Sequence, residues 1–149
     1  TVTVCLTKGL GCPVGAITLG SADVIQEARR WRQVVGGGMR QAGVIAAAGM
    51  VALETMVDRL AEDHANARRL AILLAEAGLV LDPPAEEVET NIIYFGTSEA
   101  DAQQVTGALK KKGVLCGPTG TNTIRMVTHL GITKEATDAV CAIIRELRP

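Results

Sequence analysis

Thr1-Val2-Thr3-Val4-Cys5-Leu6-Thr7-Lys8-Gly9-Leu10-Gly11-Cys12-Pro13-Val14-Gly15 is the stretch on which the fold turns. Residues 1–6 alternate in the manner of a strand, and residues 14–19 form a second strand-like run. Only residues 7–13 lie between them, including two glycines and a proline. A parallel crossover needs about a dozen residues or more, so if these strands pair they pair antiparallel. Two strands alone are marginal in water, and nothing later in the sequence supplies the rest of such a sheet. The run has no charged leader and does not read as a signal peptide. It is expected to open in the middle of a structural element, as part of a larger protein would.

Bulk composition narrows the function classes. Hydrophobic residues make up 48% of the 149 residues and charged ones 21%, which fits a globular protein and excludes a wholly disordered one. Aromatic content is 2%, so the core must be built from Ala, Val, Ile and Leu through many close contacts. Net charge is −1, with no basic stripe and few rings on which bases could stack. Nucleic acid is not expected as a partner. No apolar run approaches the ~18–20 residues of a membrane span; residues 44–53 end at Glu54 and read as a buried helix, so no membrane partner is expected. Cys5, Cys12, Cys116 and Cys141 lack zinc-site spacing, so no metal site is expected, and free thiols in a reducing compartment are the simpler reading.

Farther along, Ser21 is placed to cap a helix over residues 21–35, with Asp23 in its first turn. Gly36-Gly37-Gly38 breaks the chain. A long helical tract is expected over residues 39–77, bent near Asp58 and closed by Gly78. Its first half is rich in Ala and Gly, a composition that lets helices approach closely and suggests a buried interface between subunits. Its second half is amphipathic, with Leu60, Ala67, Leu70, Leu73 and Leu74 available for a core. Residues 82–87 read as a loop. Strand (88–95), helix (98–112), short strand (113–116), strand (123–128) and helix (133–147) follow, an α+β unit. The expected division is 1–35, 36–78 and 79–149: a sheet edge, linking helices and a small carboxy-terminal domain.

Three charged residues could carry chemistry. Lys8 stands at a strand end in a glycine-rich turn, where a ligand can approach the backbone closely. A lysine that condenses with an aldehyde needs such a fixed base, yet an ordinary solvated turn lysine fits the same residues. Arg40 follows three glycines, which either turn N–H groups toward an anion or simply interrupt two helices. Arg125 lies between apolar neighbours in a strand and should be paired, with a substrate carboxylate or an internal acid. His129, at the strand end, is a site residue or a polar cap; His64 reads as a surface side chain.

The joint order of these stretches says more than each alone. Val4-Cys5-Leu6-Thr7-Lys8-Gly9-Leu10-Gly11-Cys12-Pro13-Val14-Gly15, Arg30-Trp31-Arg32, Gly36-Gly37-Gly38-Met39-Arg40-Gln41-Ala42-Gly43, Arg59-Leu60-Ala61-Glu62-Asp63-His64 and Arg125-Met126-Val127-Thr128-His129-Leu130 together resemble the threonine aldolases over almost the full chain. The resemblance implies an α/β fold: the carboxy-terminal portion of a fold-type-I pyridoxal-phosphate enzyme. That portion would hold the last two strands of the large-domain sheet, long helices and a small α+β domain. It implies a pyridoxal 5'-phosphate-dependent lyase that cleaves L-threonine or L-allo-threonine, small amino-acid substrates, to glycine and acetaldehyde.

By the same resemblance Lys8 forms the internal aldimine, Arg40 lies near the cofactor phosphate, across a subunit interface, and Arg125 binds the substrate carboxylate. A homo-oligomer, dimer or tetramer, is implied for the full-length form, with a cytoplasmic location and a mitochondrial one left open. The family's catalytic histidines, the aspartate facing the pyridine nitrogen and a Gly-Thr phosphate loop belong to an amino-terminal half that precedes these residues, so this chain alone is expected to be inactive. Gln33 stands where some members have Lys, and Gly131 where an Asp usually follows the Thr-His-Leu stretch. The alternatives are a non-catalytic truncated product that keeps only interface and small-domain surfaces, or another fold-type-I activity.

Overall fold

A computed structural model describes residues 1–98 and 100–146. The chain divides into two compact units, Thr1–Leu60 and Ala61–Pro149. The division falls inside the 36–78 stretch expected to link the other parts.

In the first unit, β1 (Val2–Cys5) and β2 (Ala16–Leu19) pair antiparallel, with Val2 opposite Leu19 and Cys5 opposite Ala16. This is the pairing that the short connection requires. The connection folds back through Leu6, whose N–H donates to the Gly15 carbonyl at 3.1 Å and whose carbonyl accepts from Cys12 at 3.0 Å. Gly11 (φ 72°) and Gly15 (φ 120°) take left-handed backbone conformations that a side chain disfavours. Leu6, Leu10, Cys12 and Ala52 form a small buried core, with Ile17, Met56 and Leu60 packed around it.

Helix α1 (Ala22–Val34) follows Ser21, which sits at the N-cap without making a side-chain cap bond. No residue of α1 is buried, and Trp31, Val34 and Val35 are exposed. Helix α2 (Gly43–Thr55) buries only Gly49 and Ala52. A Cβ at Gly49 would come within 3.2 Å of Leu6 Cδ1, so the glycine admits the leucine that anchors the turn. The expected single bent helix over 39–77 is two helices. Helix α3 (Leu60–Glu76) starts after a non-helical break at residues 56–59, and residues 40–42 are turn and Met39 irregular rather than helix.

The second unit has a sheet of order β3-β5-β4, all antiparallel: β3 (Ile92–Gly96), β5 (Thr123–Val127) and β4 (Gly117–Pro118). Its inner face buries Ile93, Phe95, Ile124 and Met126. Against that core stand Ala67, Leu70, Ala71 and Leu74 of α3, Ala102 and Leu109 of α4 (Ala102–Lys111), and Cys141 and Ile144 of α5 (Lys134–Glu146). Helix α3 ends as expected at Gly78 (φ 78°): Gly78 N–H donates to Ala75, and Leu79 N–H to Leu74. Asp101 caps α4 by accepting from Gln103 N–H at 2.7 Å.

Two boundaries differ from expectation. Residues 88–91 precede β3, with Val88 buried after a 3-10 turn at Ala85–Glu87. Residues 113–116 are not a strand: Gly113 (φ 86°) and Val114 close the α4 C-terminus by donating to Lys110 and Leu109, and pairing begins only at Gly117. The expected helix end at Leu147 lies outside the described residues.

Candidate functional site

The Lys8 turn is held from both sides. Leu6 and Leu10 are 6% and 7% exposed, so the exposed lysine projects from a segment pinned by two buried leucines. The Lys8 carbonyl accepts from Gly11 N–H at 2.9 Å, and Cys12 Sγ reaches the Ala48 carbonyl of α2 at 3.5 Å. The amine therefore has a fixed base and a free end. Its neighbour Cys5 is exposed, with Sγ 3.1 Å from Thr7 Oγ1. The Thr7 hydroxyl and then its backbone N–H lower the Cys5 thiol pKa below the ordinary value, with the Lys8 charge helping. Sequence reasoning passed over this pair; its signal was the i, i+2 spacing of Cys5 and Thr7 on one face of a strand end.

Arg40 belongs to the same unit as Lys8 and is exposed. Neither side chain makes a hydrogen bond or ion pair among the described residues. The glycines before Arg40 do not form an anion cradle. Gly36 N–H donates to Gln33 and Gly37 N–H to the Arg32 carbonyl at 2.7 Å, which uses both amides to end α1. A Cβ at Gly37 would stand 3.1 Å from Arg32 Cγ, and one at Gly38 would overlap the Gln33 side-chain amide. Because α2 begins only at Gly43, Gly38 is not at a helix N-terminus. Of the two readings open in the sequence, the structure supports the interruption between helices.

Arg125 lies in the other unit, and of the two partners left open in the sequence the internal acid is not found among the described residues. In β5 burial alternates: Ile124 and Met126 face the core, and Arg125 points to the opposite, exposed face. Solvent removes the need for an internal counter-ion, and no acidic side chain pairs with Arg125 among the described residues. The guanidinium is available for a carboxylate. Tyr94 of β3 and Gly117 of β4 stand directly across from it on either side.

What fixes this end of β5 was also missed in the sequence. Thr128 is 1% exposed; its hydroxyl donates to the Asp63 carbonyl at 2.6 Å. Asn91 Nδ2 donates to the Thr128 carbonyl at 2.8 Å. His129 is exposed, with Nδ1 accepting from Gly131 N–H at 3.2 Å, and His64 is exposed as expected.

Solved structures with this backbone arrangement include a Sphingomonas wittichii serine palmitoyltransferase (TM-score 0.75, 20% identity, covering 97% of this chain and 38% of that one). Another is 8-amino-7-oxononanoate synthase from Francisella tularensis (TM-score 0.74, 17% identity, covering 97% and 44%). The fold is that of a carboxy-terminal portion of fold-type-I pyridoxal-phosphate enzymes. Residues 1–98 match the model of the beta-eliminating lyase family, and the chain belongs to that family.

Among its relatives, the low specificity L-threonine aldolase of Escherichia coli O157:H7 is 42% identical over 140 residues, 94% of this chain and 40% of that protein. A probable low-specificity L-threonine aldolase 2 of Arabidopsis thaliana is 44% identical over 131 residues, 86% of this chain and 37% of that protein. The chain thus spans about two fifths of the length of these relatives. The likeness to threonine aldolases read in the sequence agrees with both.

Proposed function

We propose that this chain furnishes part of the site of a pyridoxal 5'-phosphate-dependent lyase of the threonine aldolase type, acting on L-threonine or L-allo-threonine. The pinned turn that presents Lys8 is the observation that carries it. The donor set fits the group: a primary amine for the aldehyde, and exposed guanidinium groups at Arg40 and Arg125 for a phosphate and a carboxylate.

Pyridoxal phosphate, when bound, supplies an aldehyde that condenses with amines and a pyridinium ring that accepts the electron pair released as Cα–Cβ breaks. Lys8 would hold the cofactor through its amine. The two buried leucines beside it keep the amine returning to one position. Arg125 holds the substrate carboxylate, so that the breaking bond keeps one orientation. Arg40 neutralises phosphate charge. Taking the β-hydroxyl proton requires a base, which the resemblance places outside residues 1–149, so the isolated chain is expected not to turn over.

A chimera tests this: the amino-terminal part of the E. coli relative joined to this chain in place of the matching segment. It should release acetaldehyde and glycine from L-allo-threonine and lose that activity on Lys8→Ala. The family's own description favours one second reading, β-elimination. A chimera that takes up cofactor and yields ammonia and pyruvate from serine, but no acetaldehyde from L-allo-threonine, decides for it.

A further inference from the structure

Helix α3 turns one face to the core of the second unit and leaves another uncovered. Ala67, Leu70, Ala71 and Leu74 are buried, whereas Ala65, Arg68, Ile72 and Glu76 are exposed. At about 100° per residue, Ala65, Arg68 and Glu76 all lie within roughly 40° of Ile72 around the helix. They form one stripe, and a groove of ≈ 430 Å³ runs along it, lined among the described residues by Ala65, Arg68, Arg69, Ile72, Leu73 and Glu76. Ile72, at its centre, is 42% exposed.

The charges on this stripe are arranged about Ile72. Arg68 precedes it by four residues and Glu76 follows it by four. That separation is about 12 Å along the axis, too far for the two to pair within their own helix. No acid stands three or four residues from Arg68, where helical partners sit, and Arg68 makes no ion pair among the described residues. Arg69, by contrast, is held by Asp138 at 2.7 Å. Glu76 meets Arg145 at 3.6 Å with both side chains more than half exposed, a contact that contributes little and leaves a carboxylate oxygen open to a second cation.

The stripe is its own complement. In an antiparallel pair of α3 helices related by a two-fold axis through Ile72, residues equidistant from Ile72 come opposite each other. Ile72 then meets its counterpart, and Arg68 of each copy meets Glu76 of the other. The two-fold also carries the flank that bears Glu76 onto the flank that bears Arg68, so the charges match in side as well as in height. A parallel pair would set Arg68 against Arg68 and Glu76 against Glu76, which like-charge repulsion opposes.

We propose that this stripe is a docking surface for a second copy of the chain, with α3 paired antiparallel to α3, Ile72 on the axis and an Arg68–Glu76 ion pair on each side of it. One stripe of about three turns buries less than the ~1,000 Å² expected of a stable interface, so the contact is reversible and set by chain concentration. It depends neither on Lys8 nor on the cofactor.

Disulfide capture in the full chain under mild oxidation tests it. Ile72→Cys brings two thiols together on the axis, and mass mapping of the linked peptides separates that disulfide from any made by the exposed Cys5. His64→Cys is the comparison: position 64 is exposed, yet its antiparallel copies lie about 24 Å apart. The link at position 72 should form several-fold faster than the link at position 64. In the Ile72→Cys chain, Arg68→Glu alone and Glu76→Arg alone should each slow it several-fold, because each sets like charges face to face. Mixing those two chains should restore the link, now between unlike chains. The proton NMR lines of Phe95, the one phenylalanine and 2% exposed, should stay in place throughout and report an intact second unit. Equal linking at positions 64 and 72, indifference to both charge changes, or a mixture no faster than its separate chains overturns the proposal.

Discussion

Asn91 and Thr128 clasp each other through both backbone and side chain. Thr128 N–H donates to the Asn91 carbonyl at 3.0 Å, and Asn91 Nδ2 returns a bond to the Thr128 carbonyl at 2.8 Å. The Thr128 hydroxyl, 2.6 Å from the Asp63 carbonyl, ties the strand end to α3. This clasp begins one residue after β5 ends and three after Arg125, so it fixes the strand on which the guanidinium is displayed.

Thr128→Val keeps the shape and removes the buried donor. Its expected cost is about 1 kcal/mol of stability, the net worth of one buried hydrogen bond. Urea unfolding of the second unit should show this loss, and Thr128→Ser should recover most of it. Equal stability of the Val variant and wild type would show that the hydroxyl bond contributes nothing.

Much of the fold was legible in the sequence where a pattern had one physical cause. The short turn between β1 and β2 allowed only antiparallel pairing, and Gly78 marked the end of α3. The break at residues 56–59 was legible only as a bend near Asp58, because α2 and α3 are both rich in helix formers, with neither glycine nor proline between them. Strand β4 was hidden for the opposite reason: Gly117 and Pro118 have little strand preference and pair because β5 lies beside them.

The exposure of Arg125 had a cue in the sequence. Alternation in Ile124-Arg125-Met126 puts the arginine on the face opposite the core, whereas the apolar neighbours alone suggested burial. The Asn91–Thr128 clasp could not be read at all, because its bonds span 37 residues. The family resemblance picked out Lys8, Arg40 and Arg125; only the structure showed Tyr94 and Gly117 beside one of them.

Thiol reactivity should follow environment. Cys5 is exposed and its pKa is lowered by the Thr7 hydrogen bonds, whereas burial raises the Cys141 pKa to about 11 and that of Cys116 in the same direction. Limited alkylation near pH 7, read by peptide mapping, should therefore label Cys5 first and Cys141 last. Thr7→Val should slow labelling at Cys5. An early-labelled Cys141 would mean that the α5 packing is open in solution.

The Arg69–Asp138 pair gives a pH dependence of known sign. Arg69 Nε and Nη2 both donate to the Asp138 carboxylate, at 2.7 and 3.0 Å, and the guanidinium holds the Asp138 pKa below its ordinary value. A depressed folded-state pKa means a contribution present above the unfolded-state value and lost as pH falls through the folded-state value. Asp138→Asn should lower the melting temperature slightly at neutral pH, and the gap should close in acid. Both partners are substantially exposed, so the effect is small and should shrink in high salt. A gap that widened in acid would refute this assignment.

The first unit displays much apolar surface. Val44, Met50, Val51 and Leu53 of α2 are 79%, 63%, 58% and 46% exposed, more than scattered surface residues explain. The chain should bind a hydrophobic dye and sediment with concentration dependence, and Met50→Lys with Leu53→Lys should reduce both. Unaltered dye binding in the double variant would place the exposed patch elsewhere.

The most direct test of the central claim is chemical capture at Lys8. The chain is incubated with pyridoxal 5'-phosphate, alone and within the chimera, then reduced with borohydride and mapped by mass spectrometry. Lys110, Lys111 and Lys112 form an exposed internal comparison. In the chimera, label should concentrate on Lys8, and unreduced cofactor should give a yellow complex that Lys8→Ala abolishes; the chain alone should give no such complex. Label spread evenly over the lysines of a folded chimera, with no dependence on Lys8, would contradict the assignment of Lys8 as the cofactor amine.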